Sequence, residues 1–66
     1  MGKVYTVKET AELLKCNVNR VYELIEAGLL PAIKIGRLKI REETIEEFLK
    51  NYEGKDVSNP ADVRQI

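Results

Sequence analysis

The sequence predicts a small, mainly α-helical fold with one β-hairpin, in the order α-α-β-β-α. Three observations predict it. Apolar residues recur with a period of about 3.6 along residues 7–15, 18–27 and 42–52, as they do on one face of an amphipathic helix. The period changes to two along residues 33–40, which is typical of strands with one buried face. The whole chain has 66 residues, a length that accommodates one domain.

The first helix is predicted over residues 7–15. Thr6 precedes it and Glu9 follows three residues later, which is the spacing of a capping box, where each side chain accepts from the other residue's backbone N–H. The apolar stripe of this helix consists of Val7, Ala11 and Leu14.

The second helix is predicted to start after Asn17, whose side chain suits an N-cap, and to end before Gly28, the residue type that most often follows a helix. Two short amphipathic helices joined by about three residues have the geometry of a helix-turn-helix, although any helical hairpin gives the same pattern. The apolar stripe of the second helix consists of Val18, Val21, Tyr22 and Ile25.

A β-hairpin is predicted over residues 33–40, with Gly36-Arg37 as a two-residue turn. On one face Lys34 stands opposite Lys39, and like charges that face each other across strands destabilise the pair. An anionic ligand would relieve this repulsion; equally, the lysines would protect an exposed strand edge from aggregation. Arg37 favours the ligand, because a hairpin tip has no edge to protect. The other face is predicted to be buried and to carry Ile33, Ile35, Leu38 and Ile40.

The third helix is predicted over residues 42–52, and its acidity favours packing behind the basic elements. Four glutamates lie in its first turn and on its solvated face without a nucleophile beside them, so we expect no catalytic residue here. Residues 53–66 are polar, and we expect them to form a flexible tail after a folded domain at 1–52. The apolar stripe of the third helix consists of Ile45, Phe48, Leu49 and Tyr52.

Composition excludes several functional classes. The chain has no histidine, which removes imidazole metal ligands and the usual acid–base residue near neutral pH. Its one cysteine, Cys16, cannot form an internal disulfide, and we expect it to behave as a buried hydrophobic residue. No apolar run approaches the length of a membrane span. We therefore expect a cytoplasmic protein that is not an enzyme and has no metal, cofactor or small-molecule ligand.

Charge is unevenly distributed along the chain, although the formal net charge is zero. Residues 1–41 carry eight Lys and Arg against four Glu, a net of +4, and residues 42–66 carry three basic against seven acidic residues, a net of −4. A basic body of this kind is compatible with binding to nucleic acid.

The order helix, turn, helix, basic hairpin, helix is that of a winged helix-turn-helix. Over residues 5–49 the chain resembles the excisionase-family DNA-binding domains, which are relatives of the MerR-like winged helices. The resemblance is carried by YTVKETAELL at the start, VYELIEAGLLPA in the second helix, IKIGR in the hairpin and I..E..EEFL at the end. The chain departs from the family at Lys15, where glycine is usual, and at Arg41, where proline is frequent.

The resemblance implies that the second helix lies in the major groove of DNA and that the hairpin, as a wing, touches the adjacent minor groove or backbone. We expect Arg20 to pair with guanine and Asn19 with adenine, and Glu23 either to accept from a cytosine amino group or to repel wrong registers. The other predicted DNA-binding residues are Tyr22, whose hydroxyl would reach a phosphate, Lys34, Arg37 and Lys39 on the hairpin, and Thr6 and Lys8 at the start of the first helix.

The resemblance further implies an excisionase, a recombination directionality factor that binds and bends DNA to help a tyrosine-type integrase excise a mobile element. A protein this small makes few contacts, so we expect cooperative self-association on DNA or contact with the integrase through residues 53–66. Two alternatives stay open. One is a small MerR-like transcriptional regulator of a phage or mobile element, and the other is a protein-interaction module that has lost DNA binding.

Overall fold

The computed structural model describes residues 2–66, which form three helices and two small antiparallel sheets. The predicted helices are present in the predicted order. The first sheet has the strand order β1-β3-β2, and β4 pairs with β5 in the second. β1 was not predicted, because three residues are too few to show a period. The elements are β1 (Val4–Thr6), α1 (Val7–Leu14), α2 (Val18–Glu26), β2 (Ile33–Ile35), β3 (Arg37–Arg41), α3 (Glu42–Asn51), β4 (Lys55–Asp56) and β5 (Arg64–Gln65).

The predicted capping box at the start of α1 is present. Thr6 Oγ1 accepts from the Glu9 N–H at 3.1 Å, and Glu9 Oε1 accepts from the Thr6 N–H at 2.9 Å. Lys15 caps the end of the helix, and its backbone is left-handed with φ 58° and ψ 41°. This conformation lets the Cys16 N–H donate to the carbonyl of Ala11 at 3.0 Å. Glycine is favoured at such a position, because a Cβ is strained in the left-handed region.

Both predicted ends of α2 are confirmed. Asn17 caps the start, with its Oδ1 accepting from the Arg20 N–H at 2.7 Å. Gly28 follows the helix with φ 79°, and the next N–H, that of Leu29, donates to the carbonyl of Leu24 at 3.0 Å. This long bond belongs to a Schellman motif, which satisfies a carbonyl that the helix leaves free.

The hairpin of β2 and β3 is present, but the predicted register is wrong by one residue. The chain reverses at Gly36, with φ 69°, so that Ile35 pairs with Arg37 and not with Leu38. The prediction assumed the commonest hairpin loop, which has two residues. A glycine with positive φ allows a tighter reversal, and a shift of one residue moves the side chains of a strand to the other face.

The predicted buried face of the hairpin is therefore wrong for β2. The side chains of Ile33 and Ile35 are 46% and 63% exposed, whereas Ile40 in β3 is fully buried. Ile40 is buried because this residue of the central strand packs in the core with residues of the three helices.

The predicted pair of facing lysines is also wrong. Lys34 pairs with Leu38, and Lys39 pairs with Ile33. Residues that pair directly share a face, so the two lysines lie on opposite faces of the hairpin. The repulsion that favoured an anionic ligand between them is absent.

One core joins the three helices to β3. The core contains only some residues of the predicted apolar stripes, because Val18, Tyr22 and Leu49 remain 37%, 44% and 52% exposed. The buried apolar residues are Val7, Ala11, Val21, Leu24, Leu30, Ile40, Ile45 and Phe48.

Residues 53–66, termed the C-terminal segment, form the β4–β5 hairpin. Val57 packs against the core, and the carbonyl of Ser58 accepts a hydrogen bond from the Arg20 guanidinium. The domain boundary after residue 52 and the flexibility of this segment stay predictions.

Candidate nucleic-acid interface

An open groove of about 550 Å³ lies among the start of α1, the start of α2 and the hairpin. We term it the α2 groove. It brings together the three parts of the chain that the sequence predicts to touch DNA. Its lining consists of Thr6, Val7 and Lys8, of Val18 and Tyr22 on α2, and of Arg37 and Leu38 on β3.

α2 supplies an apolar wall to this groove. Val18 is the first residue of the helix and Tyr22 lies one turn later, so the two side chains leave the same face. The neighbouring face is turned to the core, where Val21 and Leu24 are 0% and 2% exposed. Because these two fill the core, Val18 and Tyr22 stay accessible from the groove.

Two cations lie on the groove, one on each of the elements beside α2. Lys8 belongs to the first turn of α1, which the Thr6 cap fixes, and Arg37 opens β3 directly after the chain reversal at Gly36. Both side chains are exposed. The lining residues include no carboxylate. A concave surface whose charges are all positive raises the local concentration of anions, and the phosphate backbone of DNA is a polyanion.

The Glu9 carboxylate, one residue after Lys8, is held by the helix cap. Its bond from the Thr6 backbone N–H is the main cause of a pKa below the ordinary value of 4.5, and the Thr6 side chain and the nearby Lys39 lower the pKa further. Glu9 therefore stays ionised as a cap.

Each of the two hairpin lysines pairs with a residue that lines the α2 groove. Lys34 shares a face of the sheet with its partner Leu38. Lys39 shares the opposite face with its partners Ile33 and Thr6, and Thr6 is the groove residue of this face.

The three α2 residues that we expected to pair with bases do not line the groove. Arg20 forms an ion pair with Glu23 at 3.2 Å, and its Nη1 donates to the carbonyl of Ser58. Glu23 lies beside the C-terminal segment at Asn59. Asn19 is exposed and does not line the groove. Of the nine predicted residues, the groove gathers four, which are Thr6, Lys8, Tyr22 and Arg37.

Sequence reasoning missed three groove residues, which are Val7, Val18 and Leu38. All three were assigned to buried faces, since an apolar residue with the right period is most often part of the core. The available signal was the width of the α2 stripe. A helix of nine residues carried four apolar stripe positions, and the structure buries only one of them fully, Val21.

A second cavity, of about 480 Å³, lies along the face of α2 that carries Arg20 and Leu24. The thiol of Cys16 opens into it, and burial raises the pKa of that thiol while Arg20 partly opposes the rise. Cys16 is half-buried against the core, in keeping with its expected role as a hydrophobic residue. The remaining lining is Leu14, Phe48, Leu49, Tyr52, Glu53 and Val57.

Within residues 2–66, no three His, Cys, Asp or Glu side chains gather into a group that could hold a metal ion. Over the same part of the chain, no helix has the length and apolarity that crossing a bilayer requires. The expected absence of catalysis and of a cofactor stays a prediction.

Comparison with known proteins identifies a family. The uncharacterized protein YvgK of Bacillus subtilis (strain 168) is 42% identical over 48 residues, which are 71% of this chain and 16% of that protein's length, so the chain spans a small part of this relative. No solved structure matches the chain. Residues 4–52 match the model of a helix-turn-helix domain, and they include the first sheet, all three helices and the entire α2 groove. The chain belongs to the helix-turn-helix domain family.

Proposed function

We propose that this protein binds double-stranded DNA sequence-specifically, with α2 in the major groove. The observation that supports this best is the α2 groove, where an exposed face of α2 lies between Lys8 and Arg37 and no carboxylate is present in the lining. A helix with its side chains is about 10–12 Å across and the major groove is about 12 Å wide, so one helix fits into it.

In this arrangement the elements beside α2 meet the DNA backbone. Lys8 contacts a phosphate from the start of α1, and Arg37 contacts the backbone or the adjacent minor groove from the tip of the hairpin, which serves as the wing. The net charge of zero is compatible with this mode, because phosphate contacts depend on the cations at the interface and not on the charge of the whole chain.

Within DNA binding, we propose the role of an excisionase that acts in the cytoplasm on a mobile element. It binds sites near the end of the element, bends the DNA and helps a tyrosine-type integrase to excise the element. The resemblance over residues 5–49 supports this role. The C-terminal segment supports a partner contact, because Ile66 is 93% exposed and a monomer with one recognition helix offers few DNA contacts.

A second candidate is a MerR-like transcriptional regulator that uses the same surface. The resemblance over residues 5–49 supports it as well, because the excisionase-family domains are relatives of the MerR-like winged helices.

Selection of bound duplexes from a randomised DNA pool tests the DNA-binding proposal. We expect an enriched site that is bound several hundred-fold more tightly than scrambled DNA at about 100 mM salt, with the logarithm of affinity falling linearly with the logarithm of salt concentration. No enrichment and no salt-dependent binding would leave the protein-interaction module as the function of this domain.

A second experiment separates excision from regulation. The full chain is added to an excision assay with a tyrosine-type integrase, and in parallel to a promoter reporter that carries the selected site. The excisionase role predicts stimulated excision, and Ile66→Glu should weaken this stimulation while DNA binding alone is unchanged. Repression or activation of the reporter without an effect on excision would favour the regulator.

A further inference from the structure

We propose that Val18, with Tyr22 beside it, recognises the 5-methyl group of thymine in the major groove. The proposal rests on the DNA binding proposed above and names the base feature that α2 reads. Both side chains line the α2 groove, and they keep 37% and 44% of their surface exposed in the free protein.

The exposure of Val18 requires an explanation, because the core does not use this residue. Val21 and Leu24, on the neighbouring face of the same helix, are 0% and 2% exposed and complete the packing against the other elements. Val18 occupies the first position of α2, where the Asn17 side chain already supplies the cap and a β-branched residue has no propensity advantage. Neither the core nor the helix end therefore accounts for a valine here.

The surroundings of Val18 and Tyr22 define what would cover them. The α2 groove also contains Lys8 and Arg37, so a complementary partner carries negative charge at its two edges and an apolar group between them. Duplex DNA has this pattern, because phosphates border the major groove and the thymine methyl is the apolar group that the major groove displays. Valine has no donor or acceptor, so it discriminates bases by contact with this methyl and not by hydrogen bonding.

Replacing thymine by deoxyuridine tests the proposal directly, because deoxyuridine keeps the hydrogen-bonding edge of thymine and lacks only the methyl group. Each thymine of the selected duplex is replaced in turn, and the affinity of the wild-type protein is measured by fluorescence anisotropy. We expect at least one position at which the replacement weakens binding about fourfold, the loss that corresponds to one buried methyl group.

The same duplexes are then measured with two variants. Val18→Ala removes two methyl groups of the contact, so the difference in affinity between the thymine and deoxyuridine duplexes should be smaller for this variant than for the wild-type protein. Leu13→Ala is the matched control, since Leu13 is an exposed apolar residue of α1, 51% exposed, that lies outside the groove. This control should keep the full sensitivity to the methyl group.

Three outcomes would overturn the proposal. One is equal binding of the thymine and deoxyuridine duplexes by the wild-type protein, and another is a methyl effect that persists undiminished in Val18→Ala. The third is a selected site that contains no thymine. In each of these cases the protein still binds DNA, so the function proposed above survives. Absence of binding to every duplex, by contrast, would overturn both.

Discussion

The two cations of the α2 groove provide a quantitative test of how the protein binds DNA. Each lysine or arginine that neutralises a phosphate contributes about 0.9 to the slope of log affinity against log salt. Replacing both Lys8 and Arg37 by alanine should therefore lower the slope by about 1.8. Between about 50 and about 200 mM salt, a slope of about 1.8 corresponds to an affinity change of about twelvefold. The double variant should lack this part of the salt dependence.

The assay is fluorescence anisotropy of a labelled duplex, measured over the salt series for the selected site and for a scrambled one. Because phosphate contacts carry no sequence information, the double variant should lose affinity to a similar extent on both duplexes. The matched control replaces Lys50 and Lys55, which are exposed cations of α3 and β4 outside the groove. The control should keep the wild-type slope.

Two results would refute this reasoning. An unchanged slope in the Lys8→Ala, Arg37→Ala variant would mean that the groove does not face the backbone. An equal decrease in the control variant would mean that DNA is attracted by charge spread over the whole surface.

The hairpin register, the two ends of α1 and the thiol give four further predictions. Lys34→Ala and Lys39→Ala should each lower the salt slope by about 1, because each lysine pairs with a residue that lines the groove; unchanged slopes would contradict this placement of the hairpin. Lys15→Gly should raise the free energy of unfolding by about 0.5–1 kcal/mol, since glycine adopts φ 58° without strain; a lower urea midpoint would contradict this. The pKa of Glu9 is lowered in the folded state, so its stabilising effect is complete above the ordinary pKa of 4.5 and is lost as pH falls through the lowered value. Glu9→Gln should consequently lose less stability than wild type on acidification to about pH 3, as urea midpoints would record, and an equal loss would exclude this role. Burial raises the pKa of Cys16, so iodoacetamide at about pH 8 should modify the folded protein more slowly than the urea-unfolded one, and equal rates would speak against it.

The helix ends could be predicted from the sequence because the interactions that determine them are local. Thr6 with Glu9, Asn17 alone and Gly28 each act within a few residues of their own position, and all three act as predicted. A side chain that bonds the backbone three residues away needs no tertiary partner, so its residue type and spacing are sufficient evidence.

The hairpin register and the partners of Arg20 could not be predicted in the same way. The register depends on the conformation of the single residue Gly36, and residue type alone does not decide between a one-residue and a two-residue reversal. Arg20 donates to Ser58, which is 38 residues away, so no spacing rule connects them. Val18 and Tyr22 fit the period of a buried stripe, and only the packed core determines which stripe residues are left outside it.

The position of the acidic α3 outside the α2 groove affects how the protein approaches DNA. With no net charge, the molecule has little overall attraction to a polyanion, but basic and acidic surfaces that are kept apart give it an electric dipole. In the proposed complex, the field of DNA exerts a torque on this dipole, which favours orientations with the α2 groove, whose lining has cations and no carboxylate, towards the duplex. A molecule that arrives with α3 leading is repelled or rotated before contact. Charge in this protein thus selects the orientation of the encounter more than its frequency.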